Sequence, residues 1–104
     1  MAVDGKVLFI GTIGTNAAGY TVPSATTARI THVKFSADGT GDGITVTITD
    51  TSETVTKNII NGETLDANSS RDEFDFYLEA GDKIEFSATT GSHVDVIVMG
   101  QELS

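Results

Sequence analysis

Apolar and polar residues alternate along most of this chain with a period of two, and no long stretch shows a helical period. Ile44, Val46 and Ile48 alternate with threonines, a pattern typical of a strand that buries one face. The same alternation recurs over residues 73–79, 83–87 and 94–99. The apolar positions of these strands form the predicted core, which consists of Ile44, Val46, Ile48, Phe74, Phe76, Ile84, Phe86, Val94, Val96 and Val98.

The remaining strands are less regular, and turn sequences separate them. Ile30, Val33 and Phe35 do not share one parity, which predicts a β-bulge near Thr31 or His32. A strand over residues 7–13 opens the sheet, and a weaker strand is predicted over residues 54–60. Turns are predicted at residues 38–43, 61–62, 67–70, 80–82 and 90–92. About eight short antiparallel strands predict a β-sandwich or a small barrel, and the length of 104 residues predicts one domain over residues 1–104.

Charge limits the possible partners. Fifteen Asp and Glu residues outnumber six scattered Lys and Arg residues, for a formal net charge of -9. Duplex nucleic acids require clustered cations, and anionic membrane surfaces attract basic segments. We therefore expect no nucleic-acid and no membrane partner. The first ten residues resemble neither a signal peptide nor a membrane span, so we expect folding in a cytoplasm.

Two groups of residues have side chains of the kinds that bind metal ions. Asp38, Thr40 and Asp42, followed by Gly43, loosely resemble the start of a calcium-binding loop. The Glu required at the twelfth position is replaced by Thr49, so a plain hairpin loop is predicted. The two histidines, His32 and His93, lie on separate predicted strands. No metal site is expected from either group, and the chain has no cysteine to supply a thiolate.

A row of carboxylates is the nearest approach to catalytic chemistry. Glu73, Asp75 and Glu79 fall on one face of a predicted strand, with Tyr77 among them. Paired carboxylates can cleave glycosides, but they need an enclosed cleft that shifts one pKa. A sandwich of this size has little wall for such a cleft, so a solvated outer face is predicted. We expect no enzymatic activity, no catalytic residue and no cofactor.

The terminal strands are apolar on both faces. In residues 7–13, Val7 and Phe9 occupy one face and Leu8 and Ile10 the other. In residues 94–99, three valines occupy one face. One face of each strand can enter the core, and the other is covered either within the sandwich or by a neighbouring subunit. The candidate oligomer interface consists of Leu8, Ile10, Ile97 and Met99.

Four segments resemble a known group of proteins. Residues 20–23 read YTVP, residues 26–33 TTARITHV, residues 78–84 LEAGDKI and residues 94–102 VDVIVMGQE. Together they resemble small β proteins of tailed-bacteriophage virions, over about four-fifths of the chain, from residue 20 onward. The resemblance implies a jelly-roll-like sandwich that is often trimeric, and it carries over no catalytic residue.

This resemblance leads to a functional expectation. We expect a non-enzymatic virion protein, most simply a capsid decoration (cement) protein. It would dock as a homotrimer on the major capsid protein, or on another virion protein, and bridge capsid subunits in the virion. The alternatives are a tail, collar or fibre component, or a small carbohydrate-binding module with Tyr20 or Tyr77 as its aromatic platform.

Overall fold

A computed structural model describes residues 3–73 and 76–103, and within these ranges the chain forms nine strands and no helix. None of the described residues belongs to a helix that could cross a membrane. In chain order the strands are β1 (Val3–Ile13), β2 (Ala18–Thr21), β3 (Thr27–Ala37), β4 (Asp42–Asp50), β5 (Val55–Leu65), β6 (Ser70–Glu73), β7 (Phe76–Leu78), β8 (Lys83–Ala88) and β9 (Val94–Leu103).

The strands form two antiparallel sheets that pack face to face. The front sheet has the order β1-β9-β3-β6, with β7 also paired to β3, and the back sheet has the order β2-β8-β4-β5. Every strand pair is antiparallel. This confirms the predicted antiparallel β-sandwich. Nine strands are described where about eight were expected, because residues 70–78 supply two short strands beside β3.

The core lies between the two sheets. Phe35 of the front sheet and Phe86 of the back sheet are its largest fully buried side chains, and their ring centroids are 5.8 Å apart in an edge arrangement. Most of the predicted core is buried: Ile44, Val46, Ile84, Phe86, Val94, Val96 and Val98. Ile48 and Phe76 are only partly buried but pack against this cluster. Phe74 lies outside the described residues.

Two β-bulges in the front sheet decide which of its side chains face outward. The predicted bulge in β3 is confirmed, because the register with β9 shifts between Ile30 and His32. A second bulge in β1 shifts the register between Val7 and Phe9. Leu8 and Phe9 consequently both pack against the core, whereas Val7 and Ile10 are 51% and 68% exposed. The expectation that Leu8 shares an outward face with Ile10, and Val7 a core face with Phe9, is therefore wrong.

Loops gather at the two ends of the sandwich. At one end the β3–β4 turn bonds to the β8–β9 turn, where the Asp38 amide donates to the His93 carbonyl at 2.9 Å. At the other end the residues after β2 bond to the β7–β8 turn, where the Val22 amide donates to the Asp82 carbonyl at 2.9 Å. Turns that are distant in sequence thus lie side by side at each end.

Candidate interaction surfaces

The outer surface of the front sheet carries a block of apolar side chains. Val7 lies opposite Met99, and Ile10 lies opposite Ile97. Directly opposite residues of an antiparallel pair project from the same face of the sheet. Met99 and Ile97 are half-buried, and the two β1 residues are exposed. We call these four residues the apolar face.

Polar groups border the apolar face on β3 and β6. Lys34 lies opposite Ile97 and, on its other side, opposite Asp72. His32 lies opposite Met99, and its Nε2 is 2.8 Å from an Asp72 carboxylate oxygen. The apolar block is therefore continuous with a charged strip rather than isolated on the sheet.

Three of the four predicted interface residues lie on this surface. Ile10, Ile97 and Met99 belong to the apolar face, but Leu8 packs against the core. The position that the sequence assigned to Leu8 is occupied by Val7. An interface role for the predicted residues remains a prediction.

A second surface, at the end of the sandwich where β4 and β7 finish, is acidic. It comprises Asp50, Glu53, Glu79 and Asp82, and we call it the acidic end. Residues 22–26, 50–54 and 79–82, which form its loops, contain no Lys or Arg. Carboxylate oxygens of Asp50, Glu79 and Asp82 lie within 4.8 Å of one another. The fold thus concentrates negative charge from two separate turns.

Asp82 anchors the acidic end. It is 4% exposed, and one carboxylate oxygen accepts bonds from the Thr51 amide at 3.0 Å and the Thr51 hydroxyl at 3.1 Å. The other oxygen accepts from the Glu79 amide at 2.9 Å. Burial alone would raise the pKa of Asp82, but these hydrogen bonds outweigh it and lower the pKa. Asp82 is therefore a charged structural residue, and Glu53 and Glu79 present the exposed charge.

The loop compared with a calcium site uses its carboxylates to hold its own backbone. Asp38 accepts a bond from the Thr40 amide at 2.8 Å and lies 3.0 Å from His93 Nδ1. The bond with His93 is the largest cause of the lowered pKa of Asp38. Asp42 accepts bonds from the backbone amides of the β8–β9 turn and of its own neighbour, at 2.8–2.9 Å. These bonds fit the predicted hairpin loop, and the absence of a metal stays a prediction.

The two histidines have separate partners. His32 contacts Asp72 on the front sheet. His93 contacts Asp38 at the end of the sandwich where the β3–β4 and β8–β9 turns meet. No described group of three metal-ligating side chains includes either ring. Each ring is therefore one half of a local pair with a carboxylate.

The predicted row of carboxylates is wrong. Glu73 lies opposite Val33, whose side chain is in the core, whereas Tyr77 lies opposite Arg29 on the outer face. The Arg29 guanidinium lies 5.7 Å from the centre of the Tyr77 ring. Glu79 follows β7 and belongs to the acidic end. Asp75 lies outside the described residues.

Two ion-pair clusters that the sequence analysis missed are distributed over both sheets. Arg71 of the front sheet lies 2.5 Å from Glu63 of the back sheet and 2.8 Å from Glu73. No sequence pattern predicts the ion pair between Arg71 and Glu63, because β5 and β6 belong to different sheets and come together only when the sheets pack. The cluster fastens one open side of the sandwich.

The second cluster lies near the other side. The Tyr20 hydroxyl donates to Glu102 at 2.5 Å, and Lys6 Nζ lies 2.6 Å from the second oxygen of that carboxylate. Burial, followed by the bond to Glu102, raises the pKa of Tyr20. The bond from Lys6, followed by that from Tyr20, lowers the pKa of Glu102. The cluster therefore joins β2 to the end of β9 through charge-assisted bonds.

Comparison with known proteins gives one informative match. No protein-family model matches the chain, and no curated protein does. Among solved structures, the chain is similar to the core of Drosophila NLP, with a TM-score of 0.54 and 16% identity. The match covers 95% of this chain and 100% of that one. The Drosophila protein was described for pentamer formation and histone binding, and at this identity the likeness shows the fold alone.

This match overturns the assignment to tailed-bacteriophage virion proteins. The Drosophila core, whose match covers 95% of this chain, was described for pentamer formation and histone binding, and it is not a capsid decoration protein. The segments on which the assignment rested have general structural roles in a sandwich. Gly81, in the LEAGDKI segment, has a φ of 86° in a tight turn, and the Asp82 carboxylate accepts a hydrogen bond that holds this turn. Many sandwiches need such turns, so these segments do not identify a virion protein.

The expectations that depended on the virion assignment are wrong with it. They are the homotrimer, the partner prediction as a whole with its major capsid protein, and the location in a virion. What the comparison establishes is that the chain has the same β-sandwich fold as the Drosophila NLP core.

Proposed function

We propose that this chain is a non-enzymatic subunit of a five-membered ring that binds basic proteins of histone type. The acidic end is the surface that receives them. The single observation that carries the proposal is the gathering of carboxylates at one end of a fold shared with a histone-binding pentamer.

The extent of the structural likeness supports the assembly part of the proposal. All of the Drosophila core and 95% of this chain superimpose, so the likeness is not limited to a few strands. The Drosophila core forms pentamers. A small sandwich also gains from association, because a chain of this size buries only about two-thirds of its unfolded surface by itself.

Electrostatics supports the binding part. The net charge of -9 attracts cationic proteins, and in a ring it is multiplied by the number of copies. Glu53 and Glu79 are exposed, so they can approach Lys and Arg side chains without a change in the fold. Asp82 keeps the turn that presents Glu79 in place.

The non-enzymatic part is supported by how the polar side chains are used. The carboxylates of Asp38, Asp42 and Asp82 accept bonds from backbone amides. The two histidines each pair with one carboxylate. These arrangements hold turns and strands, and none places a nucleophile beside a base in a cleft.

Titration of the assembled protein with purified core histones tests the proposal. The double variant Glu53→Gln, Glu79→Gln should bind histones about tenfold more weakly at physiological salt, because it removes exposed charge from every copy. The matched control Asp66→Asn, Glu85→Gln removes the same charge elsewhere and should change affinity less than threefold. Equal losses in both variants would show that net charge, not the acidic end, attracts the partner. Absence of histone binding by the wild type would refute the proposed function.

A further inference from the structure

We propose that neighbouring subunits join head to tail, with the apolar face of one copy packed against strand β5 of the next. This inference rests on the proposed ring and adds the two surfaces that form it. The contacting residues are Val7, Ile10, Ile97 and Met99 on one copy and Val55 and Ile59 on the other.

The exposed apolar side chains of the described residues occur in separate patches. Large apolar side chains that are more than about two-fifths exposed are Val7, Ile10, Val55, Ile59 and Tyr77. The first two belong to the apolar face, and the next two lie on β5, at the opposite edge of the other sheet. Tyr77 is covered on one side by Arg29. Two uncovered patches on different sheets therefore remain.

A ring of five requires two different patches on each subunit. In a closed ring without two-fold axes, each contact is heterologous, so one surface of a subunit meets another surface of its neighbour. An apolar face that paired with a second copy of itself would give a dimer. The presence of two exposed apolar patches, not one, thus favours the head-to-tail arrangement.

The charge distribution on the outer face of the front sheet permits the approach of a second copy. Among the described residues, the charged side chains on the outer face of the front sheet are Arg29, Lys34, Asp72 and Asp95. Their two positive and two negative charges sum to zero with His32 neutral, whereas the whole chain carries a formal net charge of -9. This face therefore repels a second copy less than the average surface of the chain does.

Strand β5 offers a complementary charge. Lys57 lies between Val55 and Ile59 in sequence and is exposed. Asp72 and Asp95 border the apolar face and are exposed as well. Lys57 can therefore meet one of these carboxylates while the two apolar residues that flank it contact the apolar face.

Strand β5 is both exposed and held in position by its neighbour β4. It is an edge strand of the back sheet, and only Ile60 and Leu65 of its eleven residues are buried. Two residues that alternate with the proposed contact residues bond to β4: Thr47 Oγ1 donates to Asn58 at 2.8 Å, and the hydroxyls of Thr49 and Thr56 are 3.2 Å apart. A strand fixed in this way loses little conformational freedom on association.

The outer surface of the front sheet, which carries the apolar face, is large enough for a stable contact. Four strands spaced about 4.8 Å apart, each with about eight residues at 3.3 Å, span roughly 500 Å². This is the larger part of the roughly 800 Å² that each partner contributes to a standard interface. Contacts beyond the sheet, such as the Lys57 pair, supply the remainder.

Mixing two variants tests the arrangement. Ile10→Asp places a charge in the apolar face, and Ile59→Asp places one in β5, so each variant alone should sediment at the mass of one chain. In a mixture, the intact β5 of the first variant can bind the intact face of the second. The mixture should therefore sediment at twice the mass of one chain and grow no further. Thr21→Asp, which adds the same charge on an exposed site of β2, should assemble like the wild type.

Each other outcome contradicts a definite part of the account. If the wild type is monomeric, the proposed ring itself is wrong. If the wild type assembles and Ile59→Asp assembles equally well, β5 is not the second surface and the head-to-tail contact is refuted. A mixture that stays at the mass of one chain refutes it too. Ile10→Ser and Ile59→Ser repeat the test if an aspartate variant loses its β-sheet circular dichroism.

Discussion

Replacing Phe86 by alanine should remove a large part of the stability of this sandwich. Phe86 lies on β8 in the middle of the back sheet and is fully buried. Its ring stacks on Phe9, with centroids 5.9 Å apart, and meets the edge of Phe35 at 5.8 Å. It therefore connects both sheets at the centre of the core.

The expected cost of Phe86→Ala is about 3–5 kcal/mol, the range for truncating a buried phenylalanine. The two ring contacts contribute about 0.5–1.5 kcal/mol each within that range and favour its upper half. Because small domains are stable by only about 5–15 kcal/mol, the variant should unfold at a much lower urea concentration.

Urea unfolding followed by circular dichroism measures this effect. All proteins are compared at one concentration, since association adds to the apparent stability. Tyr77→Ala is the control: its ring is 67% exposed and contacts Arg29 at the surface, so its loss should cost less than about 1 kcal/mol. A cost below about 1.5 kcal/mol for Phe86→Ala would mean that the two sheets do not meet around this ring.

Three further outcomes follow from the turns. The free energy of unfolding should fall as pH drops below the ordinary aspartate pKa of 3.8, because Asp42 and Asp82 have lowered pKa values in the folded chain and contribute stability only while ionised. Urea titrations from pH 7 to pH 3 should show a smaller fall for Asp82→Asn than for the wild type. An equal fall in both proteins would contradict this. Calorimetric titration of calcium should give no micromolar affinity for the loop at residues 38–43, whose Asp42 oxygens bind backbone amides. Gly41→Ala should cost more than about 1 kcal/mol by urea unfolding, because φ is +74° and a Cβ would lie 2.6 Å from a backbone oxygen. The control Gly39→Ala has open space around its Cβ and should cost about half of that or less. Equal costs for the two variants would refute the argument.

The sequence predicts strands well where one face of the strand is buried and the other is exposed to solvent. The alternation around Val46 and Val96 reproduces their burial in β4 and β9 because each pleat places alternate side chains between the sheets. It also locates the bulge after Ile30, where the apolar parity changes. The run Val7–Ile10 gives no such signal. Since every position there is apolar, its bulge at Leu8 could not be recognised before the register with β9 was known.

The acidic end shows what single-strand patterns omit. Asp50 and Glu79 lie on different turns, 29 positions apart in the chain, and only the order of strands in the sandwich brings their carboxylates together. Sequence reasoning instead grouped Glu79 with Glu73, from which the fold separates it. In the sequence, charge served only to predict the absence of nucleic-acid and membrane partners, and topology decided which charges form a surface.

Native mass spectrometry of the wild-type chain tests the central claim most directly. The account predicts one dominant species at five times the chain mass of 10.9 kDa, which takes up histone when core histones are added. Because heterologous contacts close into a ring, larger open polymers should be absent. A spectrum dominated by single chains or by trimers, or a pentamer that takes up no histone, would contradict it.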